Sequence, residues 1–403
     1  MQKKESIYTL SFWLLCLSNF LFSASFSMII PELPDYLASM GGREYIGYTI
    51  ALFTLTAGLS RPFSGKLTDR IGRVPVMAFG SLVCFICGGL YPLIHTFQGF
   101  LFLRFLHGMS TGTKPTATAA YVADIIPETR RGEAQGALGI FTATGMSIGP
   151  AIGSYLASEI GLNEMFWISS LFALLSILIL MRLKETLPKA MKSPFTWSLF
   201  KIGWDDIFEP KILPIFWIML MVSFSSGVVV TLLPDISKMI GWHNKGLYFT
   251  IYTVSSIVVR LLFSKSSDRH GRIPVLLISG LFLIGAMFIM VIELNSFTVI
   301  TSAVLFGIAW GFNTPTLAAW TNDLGSAAHM GRAMATMYIA LEAGIGLGAL
   351  VAGLFYKGLA SQIVLPFLLA GLFAVISFIL LEVDLYSKES LATLLWLKLY
   401  CFK

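Results

Sequence analysis

Apolar stretches close to 20 residues long recur from one end of this 403-residue chain to the other, parted by short polar joints. An α-helix rises 1.5 Å per residue, so about 20 apolar residues cover the hydrocarbon thickness of a bilayer. Runs such as SLFALLSILILMRL at 170–183 lack the apolar–polar alternation of a barrel strand. They are therefore expected to be spanning helices. Only 12% of the residues are charged while 56% are hydrophobic. Soluble domains carry about 25% charged residues, and half that share cannot coat a water-facing surface.

Twelve spans are expected, at 8–30, 45–64, 74–95, 98–122, 134–157, 164–183, 212–233, 247–264, 274–293, 296–321, 333–356 and 360–382. No signal-peptide cleavage site follows the first run, which is expected to stay as a helix. Of the 28 Lys and Arg residues, twenty then fall on the side of the termini and the joints that carry Lys66, Arg70, Arg131, Lys184, Lys211 and Arg272. Only Arg43, Lys238, Lys245 and Lys357 fall on the other side, and Arg61, Arg104, Lys114 and Arg260 lie within spans. Positive charge accumulates on the cytoplasmic side of membrane proteins. Both termini are accordingly expected in the cytoplasm, and the chain in a cell membrane, the bacterial inner membrane above all. The net charge of +6 reflects this topology and does not call for nucleic acid.

Shifting the sequence by about 200 residues superposes its landmarks. Pro34-Asp35 falls on Pro234-Asp235, Gly47 on Gly246, Arg61 on Arg260, and Asp69-Arg70 on Asp268-Arg269. Gly108, Gly112 and Asp124 fall on Gly307, Gly311 and Asp323, and Gly145 and Gly149 on Gly344 and Gly348. Glycines, prolines and charges holding one offset identify a duplicated six-helix unit. The expected organisation is a first bundle over 1–184, a cytoplasmic linker over 185–211 with a short surface helix near Phe195–Trp197, a second bundle over 212–384, and a cytoplasmic tail over 385–403.

The joint after the second span reads Gly65-Lys66-Leu67-Thr68-Asp69-Arg70-Ile71-Gly72-Arg73, and a degenerate copy, Ser264 to Arg272, sits at the matching joint of the second half. The tight turn is expected to need glycine, and Asp69 is expected at a helix N-terminus, where the macrodipole favours a carboxylate. The pair resembles the GxLxDRxGR signature loop of the major facilitator superfamily. With length, duplication and linker, that resemblance spans essentially the whole chain. It implies an all-α membrane protein whose 12 transmembrane helices form two pseudo-symmetric six-helix bundles, similar to the drug or metabolite:proton antiporter branch. It also implies a conformational-switch loop made of Gly65, Asp69, Arg70, Gly72 and Arg73, with Asp268, Arg269 and Arg272 in the copy, pairing charges with Asp124 at the end of span four.

Two further segments resemble motifs of that family. Arg104-Phe-Leu-His-Gly108 looks like an RxxxG motif whose intramembrane arginine is linked to proton coupling. Gly145, Gly149, Pro150 and Gly153 look like the GxxxGPxxGG antiporter motif, with Ser154 where a second glycine is usual. Small residues at this spacing let helices approach closely.

A charge at the bilayer centre costs about 2.5–3.5 kcal/mol even on the lenient insertion scale, so each needs a partner or a wet cavity. At the proline-broken end of span one, Glu32 or Asp35 could pair with Arg104; the alternative is that they are solvated outside, which is the expectation for Asp35. Lys114 and Glu342 lie at matched depth in opposite halves and are expected to pair across them or to bind a charged substrate. Arg61 and Arg260 are expected to snorkel toward the cytoplasm. Asn313 and Asn19 are polar at mid-span. The prolines Pro115 and Pro315 mark candidate breaks near the midplane.

The family resemblance implies a secondary transporter working by alternating access, and the span-five motif with the branch resemblance implies export of a small solute in exchange for protons. The alternatives within the class are an uptake symporter or a lipid-linked flippase. A channel fits a duplicated, charged core less well. A membrane enzyme would need clustered ligands or a nucleophile beside a base, and the five histidines are dispersed. No GxxxxGK[ST] loop occurs, so the proton gradient is the expected energy source, with no cofactor and no metal. The expected partners are a small-molecule substrate and membrane lipid, with no nucleic acid, and a monomer suffices because one chain holds both halves.

Overall fold

The computed structural model describes residues 8–127, 130–194, 196, 207–263, 266–325 and 330–400, apart from the side chains of 131–133, 191, 330–331 and 384–400. The expected surface helix near Phe195–Trp197 falls outside the described residues. Twelve long helices run through the rest. The first half holds α1 (Leu10–Met28), α2 (Ile46–Arg70), α3 (Arg73–Leu90), α4 (Phe97–Ile125), α5 (Arg131–Glu159) and α6 (Leu162–Leu180). The second holds α7 (Leu213–Met239), α8 (Leu247–Phe263), α9 (Arg272–Ile292), α10 (Ser296–Leu324), α11 (Met330–Phe355) and α12 (Val364–Tyr400). Among the described residues, nine helices are long and apolar enough to cross a membrane. The exceptions are α2 and α4, diluted by Arg61, Lys66, Asp69, Arg70, Arg104 and Lys114, and the 17-residue α8.

In hydrocarbon every backbone polar group must be satisfied within the segment, which leaves the helix as the form for such runs. Their ends carry side-chain caps. Thr9 accepts from Phe12 N–H at the start of α1, Thr96 from Gly99 N–H at α4, and Asn295 and Thr298 form a reciprocal capping box at α10. As expected, the prolines of Pro31-Glu32-Leu33-Pro34 end α1, through a 3₁₀ turn over Ile30–Glu32 and a short helix over Leu33–Ser39. Pro115 and Pro315 do not break their helices, which continue through both positions. The last helix runs unbroken across residue 384 to Tyr400.

The duplication is visible as packing. A Cβ on Gly145 or Gly149 of α5 would collide with Phe20, Ala24 and Ser27 of α1, and one on Gly344 or Gly348 of α11 with Leu220, Ser223 and Phe224 of α7. Likewise Gly108 and Gly112 seat α4 against Phe53 and Ala57 of α2, and Gly307 and Gly311 seat α10 against Tyr252 and Ser256 of α8. Each pair of repeat-related glycines thus buys one backbone approach in each bundle. Within a half, α1 packs on α5 and α2 on α4; between halves, α2 packs on α11 and α5 on α8.

Candidate functional site

The side of the molecule that bears the Asp69 and Asp268 loops is termed the loop side, and its opposite the distal side. On the loop side, Arg73 Nε donates to Asp124 at 2.9 Å, and its Nη1 donates to Asp69 at 3.1 Å and to the Thr68 carbonyl at 2.7 Å. The copy repeats this: Arg272 Nε donates to Asp323 at 2.8 Å and its Nη1 to Asp268 at 2.5 Å. The expected pairing with Asp124 is therefore present, through Arg73. Arg70 and Arg269 are exposed, and the Arg70 carbonyl accepts from Ser193 N–H.

Two details of the loop differ from expectation. Asp69 lies in the last turn of α2, not at a helix N-terminus, because the turn follows it at Ile71-Gly72. The acid at the N-terminus of α3 is Glu185, whose carboxylate accepts from Arg73 N–H and Val74 N–H, each at 3.0 Å. And Gly65 has open space where a Cβ would stand, whereas Gly72 has φ +137° and a Cβ there would strike the Glu185 carboxylate. Gly72→Ala is expected to cost about 1–3 kcal/mol for backbone strain, plus the lost cap. Gly65→Ala is expected to cost far less, and thermal denaturation of the purified variants compares the two.

On the distal side the halves are held together by charge and by backbone contact. Lys245, between α7 and α8, donates through Nζ to Glu32 and to Asp35, the latter at 2.8 Å. Its backbone N–H donates to Ser154 Oγ at 3.0 Å, and Asn244 Nδ2 to the Ala151 carbonyl at 3.1 Å. Lys238 donates to Asp35, and Arg43 lies 4.0 Å from Asp235. Burial pulls the Lys245 ammonium pKa down, but Glu32 and Asp35 outweigh it and raise it above its ordinary value. A raised cation contributes its full stability below its unfolded pKa and loses it only as pH rises through the folded one. Lys245 therefore holds this contact throughout the neutral range. Two repeat-related glycines complete the seal. A Cβ on Gly47 of α2 would enter Ala349 and Gly353 of α11, and one on Gly246, just before α8, would enter Pro150 and Ala151 of α5.

This arrangement corrects the expected partner of Glu32. Arg104 is buried elsewhere, donating from Nε to the Thr49 carbonyl at 3.0 Å and from Nη1 to Tyr91 OH at 3.4 Å, with its guanidinium over the Phe53 ring. Its face of α4 turns into the first bundle, while Glu32 turns to the second. Charge counting had treated Lys238 and Lys245 only as loop cations. Their position opposite a Pro-x-x-Pro end rich in acid was the available signal.

The expected Lys114–Glu342 pair is also not formed. Lys114 is sealed inside the first bundle, donating to the Ser18 carbonyl at 3.0 Å, Ser18 Oγ at 3.1 Å and Ser176 Oγ at 2.6 Å, above the Phe22 ring. It ties α4 to α1 and α6. Glu342 instead accepts from Arg61 Nη2 at 2.7 Å, a buried ion pair between α11 and α2, and Arg61 stacks on Tyr338. Arg61 therefore does not snorkel; the opposite half supplies its counter-charge. Arg260 is partly exposed, with its Nε sealed from solvent. Asn313 is buried with Nδ2 lacking a described partner, and Asn19 donates to Thr142. Gly145, Gly149 and Gly153 line the α1 groove, while Pro150 faces the α8 entrance.

The family model described as Major Facilitator Superfamily matches residues 15–246 and 215–393. The chain is 26% identical over 397 residues to Multidrug resistance protein 2 of Bacillus subtilis, covering 95% of this chain and 97% of that protein. It is 32% identical over 173 residues to the multi-drug resistance efflux pump PmrA of Streptococcus pneumoniae, covering 41% and 43% of the two. Among solved structures, a peptide transporter POT in complex with sulfate superposes with a TM-score of 0.77 at 15% identity, over 93% of this chain and 94% of that one. The structural likeness speaks to the fold alone.

Proposed function

The chain belongs to the Major Facilitator Superfamily, and on that premise we propose that it exports a small solute, a drug or metabolite, in exchange for protons by alternating access. The observation that carries this reading is the distal seal. Its parts come from opposite halves, and the repeat-related Gly47 and Gly246 each meet a helix of the other bundle. Opening the seal moves one bundle against the other without breaking either core, which is the motion an alternating-access carrier needs. The names of the relatives, a multidrug resistance protein and an efflux pump, support the outward direction.

The twenty-to-four partition of Lys and Arg supports a cytoplasmic loop side with both termini, and an external distal side, in a bacterial inner membrane. The proton gradient supplies the energy, with no cofactor, and a monomer is sufficient. Glu342 is the central proton-accepting candidate, because neutralising it removes the counter-charge that Arg61 meets across the halves. Glu32 and Asp35 play the corresponding part at the seal, where Lys245 bridges them. Arg104 and Lys114 hold the first bundle in the shape that presents these acids. The Arg73–Asp124 and Arg272–Asp323 loops brace the inner ends of each half.

Inside-out vesicles given an acid interior test the reading. Accumulation of a lipophilic cation or an aromatic acid that collapses with a protonophore is expected. If no solute accumulates, while cells lose proton-driven uptake when the protein is deleted, the direction is inward and the export reading falls.

A further inference from the structure

The two repeat-related arginines do not have equivalent surroundings. The offset that carries Arg61 onto Arg260 carries Gly139 onto Tyr338 and Ala143 onto Glu342. In the first half, Arg61 reaches across to α11 and finds both a ring, Tyr338, and a carboxylate, Glu342. In the second, Arg260 reaches across to α5, where its Nη1 lies 3.9 Å from the position a Cβ would take on Gly139. Glycine and alanine stand there in place of ring and acid.

The face of α5 turned to α8 can be followed residue by residue. Gly139 meets Arg260, Ser147 accepts from Thr250, Pro150 and Ala151 meet Gly246 and Asn244, and Ser154 meets Lys245. Ala143 lies on this same stripe, one turn from Gly139. Both residues are partly exposed, and nothing else stands within 4 Å of a Cβ on Gly139. Among the described residues no acid pairs with Arg260, and its buried Nε has no hydrogen-bond partner. The titratable groups that act on it are Tyr252 and Tyr338. An arginine kept in a membrane interior without a protein counter-charge, beside the open space at Gly139 between the two halves, is a functional candidate by default.

We propose that Arg260, with the α5 face at Gly139 and Ala143, forms a binding subsite for substrates that carry an aromatic ring and a carboxylate. The ligand's carboxylate supplies in the second half the counter-charge that Glu342 supplies in the first, and its ring offers a flat face for the guanidinium to stack on. Arginine suits this task because its planar fork binds a carboxylate through two N–H groups and stacks on flat rings. The inference deepens the transport reading by naming a substrate class, and it rests on that reading.

The test is binding to the purified full-length protein without any gradient, using 2-naphthoate, the neutral 2-naphthamide of the same shape, and wild type, Arg260→Gln and Ala143→Glu. Wild type is expected to prefer the acid by about tenfold or more, as a charge-assisted contact allows. Arg260→Gln is expected to erase the preference. Ala143→Glu places a protein carboxylate where the ligand's would sit, and is expected to erase it too. Should Arg260→Gln fail to fold, the Ala143→Glu arm decides alone. Equal affinity of acid and amide for wild type, no binding of the acid, or a preference unchanged in the folded variants would each overturn the proposal. Because the assay involves neither direction nor protons, an acid preference found alongside failed export would sink the export reading and leave the subsite standing.

Discussion

Glu342→Gln is expected to abolish substrate-driven proton movement in proteoliposomes while leaving a folded protein. The carboxylate is buried between the halves, 2.7 Å from Arg61 Nη2, and glutamine keeps its shape without its charge. Removing one member of a buried pair costs about 3–5 kcal/mol, because the other charge is left uncompensated. A tenfold change in a conformational equilibrium needs only about 1.4 kcal/mol, so losing this pair is ample to change which conformer dominates. Arg61→Leu is expected to uncouple transport as well, because the acid left without its counter-charge can become neutral by holding a proton. Combining Arg61→Leu with Glu342→Leu is expected to recover most of the melting temperature and none of the proton movement, because an apolar pair can replace a buried ion pair structurally but cannot take up a proton. Proton uptake that persists in Glu342→Gln would remove Glu342 from the mechanism and move attention to Glu32.

Gly246→Leu is expected to trap the carrier with its distal side open. In the sealed conformer a Cβ at Gly246 would overlap the backbone of Pro150 and Ala151, and backbone cannot swing aside as a side-chain tip can. Overpacking ordinarily costs about 1–3 kcal/mol, and a shift of 1–2 kcal/mol alone changes a two-state ratio by about 5- to 30-fold. The clash exists only when α5 and α8 are closed, so the open conformer bears none of it. Net transport should fall at least as far. Ser154, buried against Lys245 in the seal, reports the change: Ser154→Cys should label with a membrane-impermeant maleimide much faster in the Gly246→Leu background. Unchanged labelling together with unchanged transport would mean that the seal does not limit the cycle.

The sequence made the architecture legible because a duplicated chain repeats its constraints. Gly108, Gly112, Gly145 and Gly149 stood out by recurring at one offset, and each proved to be a place where two helix backbones meet. The pairing of the loop with Asp124 was implied by the family resemblance alone; the structure makes it through Arg73 and repeats it at Arg272–Asp323. Partners of the intramembrane charges were not readable. Hydropathy fixes the depth of a residue along its helix, but the direction its face turns depends on which helices surround it. Lys114 and Glu342 were matched in depth, yet one turns inward to α1 and α6 while the other turns across to α2. Lys245 escaped notice because a loop cation looks solvated until the opposite half closes over it. The asymmetry at Arg260 was present in the sequence as Gly139 and Ala143, but only the α5–α8 contact gives those small residues meaning.

The central claim, that the two halves seal and unseal the distal side as a unit, is tested most directly by spin labels at Glu44 and Leu359. Glu44 is an exposed distal residue of the first half, and Leu359 is an exposed distal residue of the second, beside Gly358, whose Cβ position lies against Arg43. Pulsed distance measurements in liposomes should give one short distance at rest and a second, longer population when substrate and a proton gradient are imposed. Glu342→Gln should alter the balance between them. A single short distance under every condition in which the protein demonstrably transports would contradict the account.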